Sequence, residues 1–414
     1  MNEVTGGWGS EEGSGALHRP VETSTRTRLA VGAMALGGFG IGTTEFAAMG
    51  LLPDIAADLR ITEPVAGHVI SAYALGVVVG APLIAAAFAR VPRRVLLIAL
   101  MIAFTLGNAL SVFAPTYGTL MAARFVAGLP HGAFFGVAAL VAAHLAGPAE
   151  RGKAVGQVLM GLSVANVIGV PLVTWLGTAL SWRYAMAVVV LIGAVTVVAL
   201  VAFLPSVQIP VTNPMTELGA LARPQVWFAL LTGVVGFGGM FAVYTYISTT
   251  LTSVSGLSAA SVPAVLAAYG VGMVIGNAVG GRAADSSVTR SIAVALAALV
   301  VLQALFSLFA PQPFAAVTLF FLIGLTASAL VPALQTRLMD VAGEAQTLAA
   351  TLNHSALNIA NALGALLGGA VISAGGGYTA PALAGSGLAL AGLVIFGVGM
   401  LVARRGAEPV GDPR

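Results

Sequence analysis

The chain alternates between long apolar stretches and short polar intervals. Twelve apolar segments are each long enough to cross a bilayer as a helix, which takes about 20 residues. They cover residues 29–52, 66–89, 95–113, 117–145, 154–177, 184–204, 225–250, 261–281, 291–309, 314–338, 348–373 and 382–403. The pattern predicts an all-α membrane protein with twelve transmembrane helices, in direct contact with the lipid bilayer.

Polar stretches flank and divide these segments. Residues 1–28 are rich in Gly, Ser, Glu and Thr and too hydrophilic for a signal peptide, so they predict a disordered tail. The longest interior interval, 205–224, contains four prolines and predicts a linker between two six-helix bundles, 29–204 and 225–403. Residues 404–414 are the predicted second tail.

Composition supports this class and excludes others. Hydrophobic residues make up 58% of the chain and charged residues 8%, too little polar surface for a soluble protein of 414 residues. The absence of cysteine excludes disulfides and thiolate chemistry. A single lysine and no phosphate-binding Gly-x-x-x-x-Gly-Lys motif argue against ATP hydrolysis, and the histidines lack zinc-ligand spacing. We therefore expect neither an enzyme nor a cofactor nor a metal.

The basic residues follow the positive-inside rule. If both termini are cytoplasmic, fifteen of the eighteen Lys and Arg residues face the cytoplasm. They are Arg19, Arg26, Arg28, Arg90, Arg93, Arg94, Arg151, Lys153, Arg223, Arg282, Arg290, Arg337, Arg404, Arg405 and Arg414. Because they cluster at the ends of apolar segments, the net charge of +3 indicates topology and not nucleic-acid binding. The acids Asp54, Asp58 and Glu63 are typical of a solvated outer loop.

The two halves repeat each other at one offset. Tyr73, Gly76 and Gly80 in the second segment recur 196 residues later in the eighth, and the pairs Gly128 with Gly324 and Gly147 with Gly343 keep the same offset. Asn166 and Asn361 pair at 195. Chance is a real alternative for any single pair in a chain with 52 glycines. A constant offset across three segments favours duplication.

One acid lies well inside an apolar segment. Glu45 stands within Gly-Thr-Thr-Glu-Phe at 42–46 in the first segment. An ionised carboxylate in hydrocarbon costs about 2.5–3.5 kcal/mol on insertion scales, and such residues are functional by default. Glu45 is therefore the predicted proton-coupling group.

Arg124, in the fourth segment, is the matching buried base. At 1.5 Å per residue, Arg124 and Glu45 both lie about 10 Å below the outer surface, so they can pair if their helices are neighbours. The distance between the guanidinium and the carboxyl group, and the access of water to the cavity, would then set the protonation of the carboxyl group. The alternative is a static salt bridge that fixes helix packing.

These segments resemble the major facilitator superfamily, and within it the twelve-span drug:proton antiporters similar to arabinose-efflux and chloramphenicol-resistance proteins. The resemblance rests on 42–46, on Gly-Leu-Leu-Pro-Asp-Ile-Ala at 50–56, and on the Arg-x-x-x-Gly pattern of Arg124 and Gly128. That last motif is implicated in proton coupling in the superfamily. The resemblance covers residues 29–403 and implies two pseudo-symmetric six-helix bundles.

Two further family motifs are present in altered form. The loop after the second segment resembles Gly-x-Leu-Ala-Asp-Arg-x-Gly-Arg-Arg, but Ala89 replaces its acid, whereas the duplicate loop keeps an acid. In the family this loop latches the halves in the outward-facing state; plain topogenic charge is an equal alternative here. The corresponding latch residues are Arg90, Arg93, Arg94, Arg282 and Asp285. Gly169 and Pro171 resemble the helix-bend motif of the fifth span, although small-residue packing also explains them.

Other polar and aromatic residues are candidates for the site. His131 follows Arg124 by two helical turns on the same face, so it is either a proton relay or a neutral histidine bonded to backbone. His354, Asn358 and Asn361 share one face of the eleventh segment, which suits a substrate path or interhelical hydrogen bonds. The predicted cavity residues are Phe39, Phe46, Tyr73, Phe135, Asn166, Tyr244, Tyr269, His354, Asn358 and Asn361, with ordinary packing as the alternative for most aromatics.

The sequence thus predicts a secondary transporter of the bacterial inner membrane. It would exchange protons for a small lipophilic compound by alternating access between two bundles. One buried acid and one buried base leave a nearly neutral cavity, which favours chloramphenicol-like drugs. The alternatives are a sugar or nucleoside exporter, an uncoupled facilitator and a non-transporting membrane sensor. We expect a monomer whose partners are substrate, protons and lipid, with no nucleic acid.

Overall fold

A computed structural model of the chain describes residues 25–88, 90–147, 150–207, 219–343 and 346–407. Within this part, twelve helices are long and apolar enough to cross a membrane. They are α1 Thr25–Gly50, α2 Glu63–Ala87, α3 Arg93–Val112, α4 Tyr117–Ala146, α5 Arg151–Val164 continued by Val170–Ala179, α6 Trp182–Phe203, α7 Pro224–Thr245, α8 Val262–Ser286, α9 Val288–Phe309, α10 Pro313–Ala342, α11 Gln346–Val371 and α12 Ala380–Ala407. The prediction of an all-α membrane protein is confirmed.

The helices pack into two groups of six. α1 to α6 pack mainly on one another, as do α7 to α12, and the two groups meet along two seams, α2 with α11 and α5 with α8. The predicted architecture of two pseudo-symmetric bundles is confirmed. The linker at 205–224 remains a proposal, because residues 208–218 lie outside the described part of the chain.

The ends of the chain differ from the prediction. Residues 25–28, expected in the first tail, form the first turn of α1, and α12 continues to Ala407. A helix can extend beyond its apolar run because its last turns lie at the interface, where polar and charged side chains remain hydrated. The rest of the two predicted tails, residues 1–24 and 408–414, lies outside the described residues.

The repeat seen in the sequence is also a repeat of contacts. A Cβ atom at Gly80 in α2 would overlap the backbone oxygen of Leu129 in α4, and a Cβ atom at Gly276 in α8 would overlap that of Leu325 in α10. Both members of the second contact lie 196 positions after those of the first. Since chance glycines would not also share partners, this contact pattern favours duplication.

Glycines at equivalent positions also end two helices. α4 ends at Gly147 with φ of 75°, and α10 ends at Gly343 with φ of 65°. Positive φ is readily adopted by glycine and strained for other residues, so each glycine stops its helix.

The two ends of the bundle differ in charge. The end at which α3, α5 and α9 begin carries Arg93, Arg94, Arg151 and Arg290, and we call it the basic face. The other end, the opposite face, carries the short helix Leu52–Leu59 between α1 and α2.

A cluster centred on Asp58 fastens the short helix to the opposite face. Arg183 at the start of α6 donates hydrogen bonds to Asp58 and, over 2.9 Å, to the backbone oxygen of Ala114. The guanidinium lies 4.3 Å from the ring of Trp182, whose indole N–H also donates to Asp58 over 3.1 Å. The predicted solvated loop is thus tied to α6 and to the turn before α4.

Replacing Asp58 with Asn is expected to destabilise the protein slightly at neutral pH and not at acidic pH. The Arg183 hydrogen bond holds the pKa of the Asp58 carboxyl below its usual value, so the contribution is present above the unfolded-state pKa and is lost as pH falls through the lower folded-state pKa. The pair is partly exposed, so we expect about 0.5–1 kcal/mol, less in high salt. Thermal unfolding in detergent at neutral and at strongly acidic pH measures it; an equal difference at both would contradict the ionic origin.

Candidate substrate and proton site

Glu45 is a buried acid that makes one weak polar contact among the described residues. It is 7% exposed and lies near the C-terminal end of α1, toward the opposite face. The amide nitrogen of Asn361, on α11 in the other bundle, donates to the Glu45 carboxylate over 3.4 Å. A carboxylate accepts several strong hydrogen bonds when such partners are near. Glu45 therefore has unused acceptor capacity at the junction of the two bundles.

Arg124 is bonded to the residue beside Glu45. Its guanidinium donates to the hydroxyl of Thr44 over 2.8 Å and to the Thr44 backbone oxygen over 3.1 Å. It also lies 4.4 Å from the ring centre of Tyr73, a cation–π contact. The Thr44 hydroxyl in turn donates to Asn108 on α3 over 2.6 Å. Arg124 is thus held by α1, α2 and α4 together.

The expected direct ion pair between Arg124 and Glu45 is not formed. The ion pairs within the described part of the chain are Lys153 with Glu150 and Arg183 with Asp58. Successive residues point about 100° apart around a helix, so α1 presents Thr44 to α4 and turns Glu45 toward α11.

A chain of ring contacts leads from Arg124 toward the basic face. The Tyr73 hydroxyl and the Nδ1 atom of His131 are 3.1 Å apart. The His131 ring lies 5.4 Å from the ring of Phe135, which stacks at 6.0 Å on His354 of α11. Sequence reasoning placed these residues near the site, and the structure brings them together across the bundle interface.

The polar face of α11 lies along this same interface. Asn358 donates to the backbone oxygen of His354 over 3.0 Å, and its own side-chain oxygen has no hydrogen-bond partner among the described residues. The same holds for the buried side-chain oxygen of Asn361. Buried polar atoms without hydrogen bonds cost about 1–3 kcal/mol each. These oxygens are the atoms that a bound molecule with N–H or O–H groups would satisfy.

An aromatic cluster, mostly from the second bundle, packs against Phe46, the residue after Glu45. Phe46, next to Glu45, stacks on Phe241 at 6.2 Å and meets Tyr244 edge-on at 5.4 Å. Tyr244 contacts Tyr269 at 4.8 Å, and Tyr269 stacks on Phe320 at 4.3 Å. These rings join the bundles beside Glu45.

Two predicted cavity residues lie apart from this group. Phe39 is half-buried and faces Gly169 in α5. Asn166, also in α5, donates to the backbone oxygen of Leu162 over 3.0 Å, and its backbone packs against Gly270 of α8. Both residues belong to the α5 side of the interface and not to the immediate surroundings of Glu45.

The repeat identifies residues that inspection of single motifs missed. An offset of 196 takes Glu45 to Phe241 and Arg124 to Phe320. In the structure the Tyr73–Arg124 contact of the first bundle is replaced by the Tyr269–Phe320 stack of the second. The first bundle therefore carries the charged groups and the second carries aromatic rings in their place. Thr44 and Asn108 had no such signal.

The sequence matches the family model described as Major Facilitator Superfamily over residues 34–343 and 250–413. The chain belongs to the major facilitator superfamily. It is 45% identical over 368 residues to the inner membrane transport protein YdhP of Escherichia coli K12, covering 88% of this chain and 94% of that protein. It is 35% identical over 370 residues to a chloramphenicol resistance protein of Streptomyces lividans, with 88% and 94% covered. The resemblance stated from the motifs is confirmed.

A solved structure of the same superfamily has the same fold. The bacterial homologue of the human lysosomal transporter Spinster, solved in an inward-facing and unoccupied conformation, superposes with a TM-score of 0.68 at 14% sequence identity. The match covers 91% of this chain and 96% of that chain. This likeness concerns the fold; that the protein is a multi-pass membrane transporter follows from the family match and from the YdhP relative.

The predicted latch residues of this superfamily member do not join the bundles here. Arg94 donates to the backbone oxygen of Val201 on α6 over 2.7 Å, and Arg282 donates to that of Ala278 within α8 over 3.1 Å. For Arg90, Arg93 and Asp285, no hydrogen bond or ion pair is found within the described part of the chain. Their role as a latch remains a prediction for another conformation.

A π-helical turn interrupts α5 where the superfamily motif predicts a bend. The turn covers Ala165–Gly169, and Pro171 is the second residue of the helical segment that follows. A π turn shifts the backbone hydrogen-bond register and is one of the recognised causes of helix kinks. The proposed bend function of Gly169 and Pro171 is consistent with this local geometry.

The bundles are fastened toward the opposite face. Glu63 at the start of α2 accepts a hydrogen bond from Thr249, just beyond the end of α7. Ser71 donates to the backbone oxygen of Ala362 on α11 over 3.3 Å. Hydrogen bonds between the bundles, for the residues that the structure describes, lie in the middle or at this face. The sequence position of Glu63 suggested only a solvated loop. Its hydrogen bond to Thr249 also joins the two bundles at this face.

Proposed function

We propose that the protein is a proton-coupled exporter of a small, largely lipophilic and uncharged compound, with amphenicol-type antibiotics as the first substrate class to test. The observation that carries this proposal is Glu45, a buried carboxylate that forms no ion pair with any described residue and whose polar contact comes from the second bundle. Protonation of Glu45 would change the interaction between the two six-helix bundles, which move relative to each other in alternating access.

The surroundings of Glu45 support the substrate class. Unpaired oxygens on Asn358 and Asn361 favour a molecule with N–H or O–H groups, and the rings from Phe46 to Phe320 favour an apolar or aromatic body. The fixed positive charge of Arg124 is already engaged by Thr44 and Tyr73. A relative of this chain is a chloramphenicol resistance protein. These features together favour a neutral, hydrogen-bonding drug over a multiply charged one.

The topology belongs to the same proposal. We place the basic face and both termini in the cytoplasm, because membrane proteins carry excess arginine and lysine there. The hydrogen bonds that join the bundles then lie toward the outside, as in a conformation closed to the exterior. We place the protein in the bacterial inner membrane as a monomer, with residues 205–224 as the linker between bundles.

Substrate-induced proton release from the purified protein tests the proposal. In weakly buffered detergent solution with a pH-sensitive dye, amphenicols are expected to release protons, whereas pentoses, nucleosides and lipophilic cations are not. In proteoliposomes, accumulation of the active compound should collapse when a protonophore is added. Transport that is unaffected by the protonophore and moves no protons would instead identify an uncoupled facilitator. Release by nucleosides or pentoses alone would identify the alternative exporter.

A further inference from the structure

Asn361 forms the polar contact between Glu45 and the second bundle. It lies on α11, is 1% exposed, and uses its amide N–H on the Glu45 carboxylate while its amide oxygen has no partner. Asparagine is one of the few side chains that can present either a donor or an acceptor to the same neighbour by turning over its amide. Its position therefore fits both protonation states of the acid opposite.

The repeat supplies a comparison within the same chain. Asn166, the counterpart of Asn361 at an offset of 195, lies on the other seam, in α5 against α8. The residue of the second bundle equivalent to Glu45 is Phe241. Asn166 donates instead to the Leu162 backbone oxygen of its own helix. Of these two asparagines, the one whose amide crosses between the bundles is therefore the one that meets an acid.

We propose that Asn361 is the positioning residue that transmits the protonation state of Glu45 to α11. When Glu45 is ionised, it accepts the Asn361 N–H, which holds α11 against α1. When Glu45 takes up a proton, its O–H becomes a donor and the charge that strengthens the present bond is gone. The Asn361 amide then turns so that its free oxygen accepts from Glu45. Asn361 neither gains nor loses a proton.

A rearrangement at Asn361 can affect the packing of α2 against α11, because the residue that follows Asn361 contacts α2. The next residue, Ala362, accepts the hydroxyl of Ser71 from α2 through its backbone oxygen. A shift of the Asn361 backbone therefore acts directly on the α2–α11 contact. The other titratable and charged groups near Glu45 are Arg124 on α4, Tyr73 on α2 and Tyr244 on α7. Of these, Tyr244 belongs to the second bundle but does not hydrogen-bond to the carboxylate in this structure.

This inference rests on the proposed proton coupling, and one experiment separates the two. Because the chain has no cysteine, a Thr62→Cys and Ser258→Cys pair, both exposed and on opposite bundles, can be spin-labelled specifically. In the otherwise unmodified protein in nanodiscs, the ratio of the two distance populations is expected to change about fivefold between acidic and alkaline buffer, the low end of usual couplings.

Three variants in this labelled background decide the question. Glu45→Gln is expected to abolish the pH response, and Asn361→Leu, which keeps the volume but removes the amide, is expected to reduce it to less than half. The matched control, Asn166→Leu, is expected to leave it intact. Asn361→Ala repeats the measurement if the leucine variant does not insert.

The outcomes separate the two proposals. A pH response that survives Asn361→Leu, or Asn361→Ala where the leucine variant does not insert, but not Glu45→Gln overturns the role of Asn361 and leaves proton coupling standing. A response that survives Glu45→Gln overturns the proposed coupling itself. Equal losses in the Asn361 and Asn166 variants would show a general packing effect, which also overturns the role assigned to Asn361.

Discussion

The Glu45→Gln variant is expected to fold, insert and bind substrate, yet to lose export against a gradient. Glutamine has nearly the same shape as glutamate and can still accept a hydrogen bond from the Asn361 N–H. Its amide cannot take up or release a proton at physiological pH. Removing an ionisable group from the membrane interior also removes an unfavourable burial term, so unfolding in detergent should occur at an equal or higher temperature. Transport without coupling can only equalise concentrations, so accumulation should fall to equality across the membrane.

The matched control for this experiment is Asp340→Asn. Asp340 is an exposed acid in the last turn of α10. The Asp340→Asn variant should retain both accumulation and substrate-induced proton release. If Glu45→Gln still accumulates substrate in proteoliposomes with an imposed proton gradient, Glu45 is not the coupling group. Loss of accumulation in both variants would point to a general effect of removing negative charge.

Much of this site was predictable because the constraint on it is severe. Hydrocarbon tolerates few charges, so the one acid in an apolar segment stood out from composition alone. The same reasoning picked out Arg124. Periodicity then placed His354, Asn358 and Asn361 on one face of α11, and that face does lie at the bundle interface. Where the physics allows few solutions, the sequence pointed to residues that the structure brings together at the bundle interface.

The pairing of those residues was not predictable in the same way. Depth in the membrane can be counted from a sequence, but rotation of a helix about its axis depends on how every neighbour packs. A turn of one position separates Thr44, which Arg124 contacts, from Glu45, which it does not. Similarly, periodicity left a substrate path and interhelical hydrogen bonds both open for Asn361, and only the structure shows that its amide reaches Glu45. What the sequence lacked in both cases is the orientation of the side chain.

The internal repeat carried information that motifs alone did not. Applying the offset of 196 to Glu45 and Arg124 leads to Phe241 and Phe320, which lie in the aromatic cluster beside Glu45. A duplicated fold keeps backbone positions while side-chain chemistry diverges, so equivalent positions occupy related places in the structure. Here the divergence separates charged groups from aromatic rings, and that separation underlies the proposed site for an amphiphilic, uncharged substrate.

The same repeat predicts that Gly80→Ala and Gly276→Ala will each strongly destabilise the protein. Alanine in place of glycine ordinarily stabilises a helix by about 0.5–1 kcal/mol. Here the added methyl group would overlap the backbone of Leu129 or Leu325, which cannot turn aside as a side chain could. Forcing the helices apart should instead lower the free energy of unfolding by about 1–3 kcal/mol, as at other overpacked sites. Unfolding of the purified variants in detergent measures the difference.

The control is Gly136→Ala. Gly136 lies on α4, the helix that carries Leu129, and a methyl group at this position would meet nothing within 4 Å. It should be neutral or slightly stabilising. Equal behaviour of Gly80→Ala and Gly136→Ala would contradict the close approach of α2 to α4. Because α2 also carries Tyr73 and forms the seam with α11, loosening its contact with α4 should weaken substrate-induced proton release as well as stability. A variant that lost stability but kept full proton release would show that the seam does not depend on this packing.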